Sequence, residues 1–203
     1  MKIGGLQPSS LLDFPGKVAA IVFTQGCNFR CPFCHNPELV LPELFTDDHS
    51  EESVFAFLEK RRGQLDGVSI TGGEPTLQPD LIAFVKKVKA MGYAIKLDTN
   101  GSAPLVLEKL LKDHLLDYVA MDLKAPFERY MVLTGCDVDV ELIRKSIELI
   151  LAYEVPHIFR TTHVPSLLSN DEIAAIRKLL PENAVYRVQP FKNPDDKELL
   201  GTV

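Results

Sequence analysis

At 203 residues, with 46 % hydrophobic and 25 % charged side chains, the chain can bury one substantial core, and its usage excludes disordered and fibrous classes. Its formal charge of −6 argues against a general nucleic-acid or anionic-membrane surface. No stretch approaches membrane-spanning length, and residues 1–8 lack the uninterrupted apolar run of a secretory signal.

After a lead-in containing Gly, Pro and Ser, and the turn-like Asp13-Phe14-Pro15-Gly16, residues 18–24 form a short apolar, β-branched run that predicts a buried strand. Residues 26–49 show little periodicity and contain Pro32, Pro37 and Pro42, which predicts a long functional loop. Ser50 reads as an N-cap, with Glu51 and Glu52 in the first turn, Lys60 to Arg62 in the last and Gly63 beyond. A second strand over 67–71 runs into Gly72-Gly73-Glu74-Pro75, and a helix over 79–91 stops at Gly92. A third strand over 93–98 leads into Thr99-Asn100-Gly101 and a helix over 104–114. The fourth strand, 117–123, ends at Lys124 and is followed by an irregular stretch and a helix over 139–153. A fifth strand covers 157–163, Ser169 and Glu172 form a capping box for a helix that Pro181 ends, and a sixth strand covers 184–189.

Six strands alternating with five helices imply an α/β fold of parallel strands with helical crossovers, in one domain over 1–203. Either an open doubly wound sheet or a partial barrel satisfies that order. In both, the carboxyl edge of the strands carries the active site. Every unusual polar cluster falls at that edge: the cysteines, Gly72 to Glu74, Asp98 to Asn100, Asp122 with Lys124, Arg160 to His163, and Gln189.

Cys27, Cys31 and Cys34 lie within eight residues, too close together to staple loops across a core, and read as metal ligands. With the fourth cysteine distant, this is a poor disulfide framework and fits a cytoplasmic protein with reduced thiols. Thiolates so spaced suit three irons of a cubane cluster, leaving the fourth iron open for a ligand. A structural zinc completed by His35 or Cys136 is the other reading. Phe33 either packs this loop or covers a purine. Gly72-Gly73 permits close backbone approach and Glu74 offers an acceptor for an ammonium, although a Gly-Gly turn is often only a turn. Asp98 to Gly101 reads equally as a turn, and Asp122 with Lys124 as a solvated pair. Arg160, inside an apolar strand, requires a partner. His163, His49, His114, His157 and Cys136 read as ordinary structural or surface residues.

The Cys-x3-Cys-x2-Cys loop after a first strand, with Phe33 before the last cysteine and Gly72-Gly73-Glu74-Pro75 after the second strand, resembles the radical S-adenosylmethionine (SAM) superfamily. That resemblance implies a partial (β/α)6 TIM-like barrel of parallel strands and a [4Fe-4S] cluster on Cys27, Cys31 and Cys34, whose open iron chelates SAM. It further implies that Gly72, Gly73 and Glu74 hold the methionyl amino group and that Phe33 and His35 lie near adenine. Cys34-His35-Asn36, Leu97 to Gly101 and Asp122-Leu123-Lys124 are similar to the activases of glycyl-radical enzymes. There the matching aspartates, Asp98 and Asp122, imply a monovalent-cation site, Lys124 a cofactor contact, and Arg160 a looser match.

Gly5-Leu6-Gln7, Leu12 to Lys17 and Thr24 to Asn28 narrow the resemblance to the activating family of anaerobic ribonucleoside-triphosphate reductase, with a flavodoxin or ferredoxin as reductant. Two departures stand out: Phe14 replaces the first glycine of an Asp-Gly-Pro-Gly motif, and the chain ends soon after Gln189-Pro190-Phe191. The alternatives are a small-molecule radical enzyme such as a 7-carboxy-7-deazaguanine synthase and a zinc-stabilised interaction module without catalysis.

Overall fold

The computed structural model describes residues 1–46 and 49–191; residues 47 and 48 of the expected long loop, and the short tail after Phe191, lie outside that range. Seven strands form one sheet in sequence order. They are β1 (Ile3–Ser10), β2 (Ala19–Thr24), β3 (Gly67–Gly72), β4 (Ala94–Thr99), β5 (Tyr118–Asp122), β6 (His157–His163) and β7 (Tyr186–Pro190). The six strands expected from the sequence are β2 to β7, all parallel. Each crossover steps to the next neighbour in the same direction. A doubly wound sheet reverses its order at a switch point, so the strand order selects the partial barrel.

β1 is an addition. It runs antiparallel to β2 and shifts register twice, between Ile3 and Gly5 and between Gln7 and Ser10. Gly4, Gly5 and Pro8 weaken any strand pattern there, and a strand at the sheet's end tolerates all three because one of its edges needs no partner.

The helices are α1 (Glu51–Lys60), α2 (Leu81–Ala90), α3 (Pro104–Lys112), α4 (Tyr130–Thr134), α5 (Val140–Ala152) and α6 (Asn170–Lys178). Short α4 lies in the stretch expected to be irregular. Ser50 caps α1 by accepting from Ser53 N at 3.1 Å, and the Ser169–Glu172 capping box is formed at α6. Ile70, Leu97, Met121 and Phe159 face outward from the barrel and pack in one core with Phe84, Leu110, Ile150 and Ile176 from the helices. With a strand period of two, their neighbours Thr71, Lys96, Asp98, Asp122 and Arg160 face inward. The alternation therefore separates an apolar helix-facing side from a polar lumen.

Phe14, the departure from the glycine motif, is 2 % exposed. It packs against Gly67 and lies 6.2 Å, centroid to centroid, from the Tyr118 ring. Both contacts are at the first residues of their strands, so Phe14 plugs the amino-terminal end of the barrel. The loop after β2 is irregular, as expected, with single 3-10 turns at Pro37–Leu39 and Pro42–Leu44. Buried Phe29 and Phe33 anchor it, as does a hydrogen bond from Gly26 N to Leu39 O at 2.7 Å.

Candidate active site

The carboxyl ends of the parallel strands and the cysteine loop enclose a cavity of about 240 Å³. All twelve residues singled out from the sequence line it: Cys27, Cys31, Phe33, Cys34, His35, Gly72, Gly73, Glu74, Asp98, Asp122, Lys124 and Arg160. Thr71, Thr99, Asn100, Thr162 and Gln189 are also in the wall, while His163 and Cys136 are outside it.

One wall is thiol-bearing. Burial pushes the Cys27 thiol up to about 11 and the Cys31 thiol up to about 12, and raises Cys34 as well. A metal centre here would displace protons as it binds. Among the described residues, no three His, Cys, Asp or Glu side chains converge as a set that could hold one metal ion. A single zinc needs its thiolates within about 4 Å of one another, whereas a cubane offers a separate iron to each thiolate. Cys27, Cys31 and Cys34 all line the one cavity, as a cluster held by three thiolates requires.

The floor is built by close backbone approach. Gly72 has φ +116°, and a Cβ on Gly73 would overlap the carbonyl of Gly26, the residue before Cys27. Gly73 N donates to Thr24 O at 2.9 Å and Glu74 N to Gly26 O at 2.8 Å, which ties β3 to the root of the cysteine loop. Gly73→Ala is expected to push that loop away and to cost about 1–3 kcal/mol, measured as a lowered urea midpoint of the cluster-free protein.

Glu74 is 1 % exposed and has no cationic partner among the described residues. Its carboxylate accepts from Thr76 N at 3.0 Å, the Thr76 hydroxyl, Thr99 Oγ1 at 2.8 Å and Asn100 N at 2.6 Å. Burial raises its pKa while these bonds oppose the rise. Three of these donors fall on Oε1 and only Asn100 N on Oε2, so Oε2 keeps an acceptor site for a cationic ligand beside the field of the buried charge.

Opposite the thiols runs a chain of alternating charges. Lys96, 2 % exposed, pairs with Asp13 at 3.4 Å and with Asp98. Asp98 also accepts from Arg160 Nη2 at 3.2 Å and Thr71 Oγ1 at 3.4 Å. Arg160 Nε donates to Asp122 at 2.8 Å, and Lys124 Nζ to the other Asp122 oxygen at 3.1 Å. The partner that Arg160 required is therefore a pair of carboxylates supplied by two neighbouring strands. Three acids balance three bases, and every carboxylate oxygen of Asp98 and Asp122 already accepts from a protein cation. A monovalent cation at this pair would have to share those oxygens.

Burial alone would raise the Asp122 carboxyl, but the Arg160 guanidinium and Lys124 ammonium more than reverse it and hold the group well below the usual carboxylate range. Burial alone would lower the Lys124 ammonium, but Asp122 and the nearby Cys31 together more than reverse it and hold the group well above the usual amine range. With a depressed folded pKa, the stability contributed by Asp122 is complete above the unfolded value of about 3.9 and is lost as pH falls toward the folded one. Asp122→Asn is expected to flatten the fall in urea midpoint between about pH 4 and pH 2, whereas an unchanged acid slope would exclude this role.

His35 stacks on Phe191 with centroids 4.9 Å apart and planes at 22°, joining the cysteine loop to the end of β7. Lys96 and Asp13 line an adjoining depression rather than the cavity, and their pairing was not legible: a lysine in an alternating strand reads as solvent-facing, and Asp13 lies 83 positions away in the chain.

The radical SAM superfamily model matches residues 21–180. A Methanocaldococcus jannaschii protein assigned by name to the glycyl-radical enzyme activating enzymes is 34 % identical over 201 residues, covering 95 % of this chain and 81 % of that protein. The pyruvate formate-lyase-activating enzyme of Clostridium pasteurianum is 32 % identical over 139 residues, covering 66 % of this chain and 57 % of the enzyme. Among solved structures, SAM-bound SuiB of Streptococcus suis superposes with a TM-score of 0.70 at 17 % identity, over 89 % of this chain and 42 % of SuiB. That likeness extends to the fold. No helix among the described residues is long and apolar enough to cross a membrane.

Proposed function

Because the chain belongs to the radical SAM superfamily, among its glycyl-radical enzyme activating members, we propose that it abstracts a glycine Cα hydrogen from anaerobic ribonucleoside-triphosphate reductase. The observation that carries this reading is the cavity itself, with three thiols and no fourth on one wall and a balanced cation–carboxylate chain on the other.

Cys27, Cys31 and Cys34 are the residues that would hold a [4Fe-4S] cluster. A cluster held there would supply the one electron for reductive cleavage of SAM, the chemistry that hydrogen abstraction from a glycine Cα requires. The protein's part is to bind, orient and exclude water. Gly72 and Gly73 bring backbone close to the cavity, and the uncompensated Glu74 charge favours an ammonium or sulfonium there. Lys124, fixed by Asp122, offers an ammonium to a carboxylate, and Arg160 holds Asp98 and Asp122 in register. Phe33 and His35 supply aromatic surface for adenine. A flavodoxin or ferredoxin fits the need for a one-electron donor.

The reductase is favoured as partner by Leu12-Asp13-Phe14-Pro15-Gly16-Lys17 and Thr24-Gln25-Gly26-Cys27-Asn28, the stretches by which the sequence resembles its activating family. The test uses reductase carrying α-deuterated glycine, with pyruvate formate-lyase as the comparison. Deuterium in 5′-deoxyadenosine and a glycyl EPR doublet on the reductase are the expected result. Transfer only from pyruvate formate-lyase, or from neither protein, overturns the assignment.

A further inference from the structure

Asn100 is 6 % exposed and lines the cavity, and in the sequence it has no individual role beyond its place in the polar Asp98 to Gly101 turn. Its amide is oriented without ambiguity. Ser102 N, which can only donate, reaches Asn100 Oδ1 at 2.9 Å. Nδ2 therefore faces the cysteine loop, where it donates to Asn28 Oδ1 at 2.9 Å. Asn28 is held in place by its own Nδ2, which donates to Ser102 Oγ at 2.9 Å.

An asparagine amide has two hydrogens to donate. One goes to Asn28, and among the described residues the acceptor recorded for the other is Cys27 Sγ, at 4.0 Å. That separation is long for a neutral thiol. An iron-bound thiolate carries charge, and charge-assisted hydrogen bonds are shorter and stronger. Phe29 N already donates to the same sulfur at 3.3 Å, so Cys27 receives donors from its own loop and from the end of β4.

We propose that Asn100 donates a hydrogen bond to the Cys27 thiolate and thereby sets the reduction potential of the cluster. The proposal rests on the cluster-binding reading above. Reduction adds negative charge to the cluster and its sulfurs, and a donor aimed at a sulfur stabilises the reduced state and raises the midpoint. Asn100 is in this sense a positioning and tuning residue. Through its backbone N–H it also rests on Glu74, so one residue links the cysteine wall to the floor.

The test is EPR-monitored potentiometry of the reconstituted wild type, Asn100→Leu and Ser102→Ala. Ser102→Ala removes the hydroxyl that accepts from Asn28 but keeps the backbone N–H that orients Asn100, so its midpoint is expected to match the wild type. Asn100→Leu, with full iron content, is expected to show about tenfold less reduced cluster at the same poise, equivalent to about 59 mV for one electron. Equal midpoints for Asn100→Leu and wild type overturn the proposal, as does an equal drop in Ser102→Ala. Should Asn100→Leu fail to take up iron, the wild type labelled with 15N in its asparagine side chains decides. A 15N coupling to the reduced cluster supports the bond, and its absence excludes it. A wild type that takes up no four-iron cluster sinks the cluster reading itself, a result distinct from equal midpoints.

Discussion

Cys31→Ser is expected to lower SAM cleavage by more than about 100-fold, since removing an outer-shell partner of a metal ligand already costs about 10–100-fold. Cys27→Ser and Cys34→Ser are expected to do the same. The cavity contains three cysteines, and Cys136, the fourth in the chain, donates instead to Asn28 O at 3.2 Å outside it. The loss should appear as reduced iron per chain and as missing 5′-deoxyadenosine, while the cluster-free variant keeps its fold, because the loop is anchored by Phe29 and Phe33 rather than by the metal. Full iron content and normal cleavage in Cys31→Ser would remove that cysteine from the ligand set.

Arg160→Met is the second large effect. The guanidinium joins Asp98 on β4 to Asp122 on β5 from its place on β6. Without it two carboxylates lose a counter-charge in the lumen, and breaking a buried pair by removing one partner costs about 3–5 kcal/mol. Lys96 and Lys124 remain on the outer oxygens of the two acids, which places the expected loss near the lower end, about 3 kcal/mol. Urea denaturation of the cluster-free protein measures it. Arg160→Met is also expected to lower cofactor affinity, because among the described residues Asp122 is the one hydrogen-bond partner that orients the Lys124 ammonium. A variant as stable as the wild type would show that the chain of charges is a solvated surface network worth little.

These two positions were legible to different degrees in the sequence, for physical reasons. The cysteines needed only spacing, because metal ligation by a short loop is a local property. Arg160 could be identified as a charge requiring a partner, but the partner is set by strand register: Asp122 and Arg160 are paired positions of β5 and β6. Asp13 and Lys96 depended on the plug formed by Phe14, a contact between a turn and the start of two strands. β1 escaped because glycines and a proline erase its pattern and because β2, not a hydrophobic face, holds it. The order β2 to β7 followed from alternation and caps, while the choice between open sheet and partial barrel required the observed strand order.

Glu74 carries the same lesson in the other direction. Its identity suggested an acceptor for an ammonium but not the four donors it already holds, three of them from Thr76 and Thr99 on one oxygen and Asn100 N on the other. A buried carboxylate must find donors wherever it lies, and here the donors come from the end of β4 and from its own turn. The sequence shows the type of residue at the floor but not which hydrogen bonds have already claimed it.

The most direct test of the central claim is the EPR spectrum of anaerobically reconstituted, dithionite-reduced protein with and without SAM, with 5′-deoxyadenosine assayed alongside. A four-iron signal that changes when SAM is added, together with formation of 5′-deoxyadenosine, is the predicted result. A fully metallated protein that shows no iron signal and leaves SAM uncleaved would contradict it.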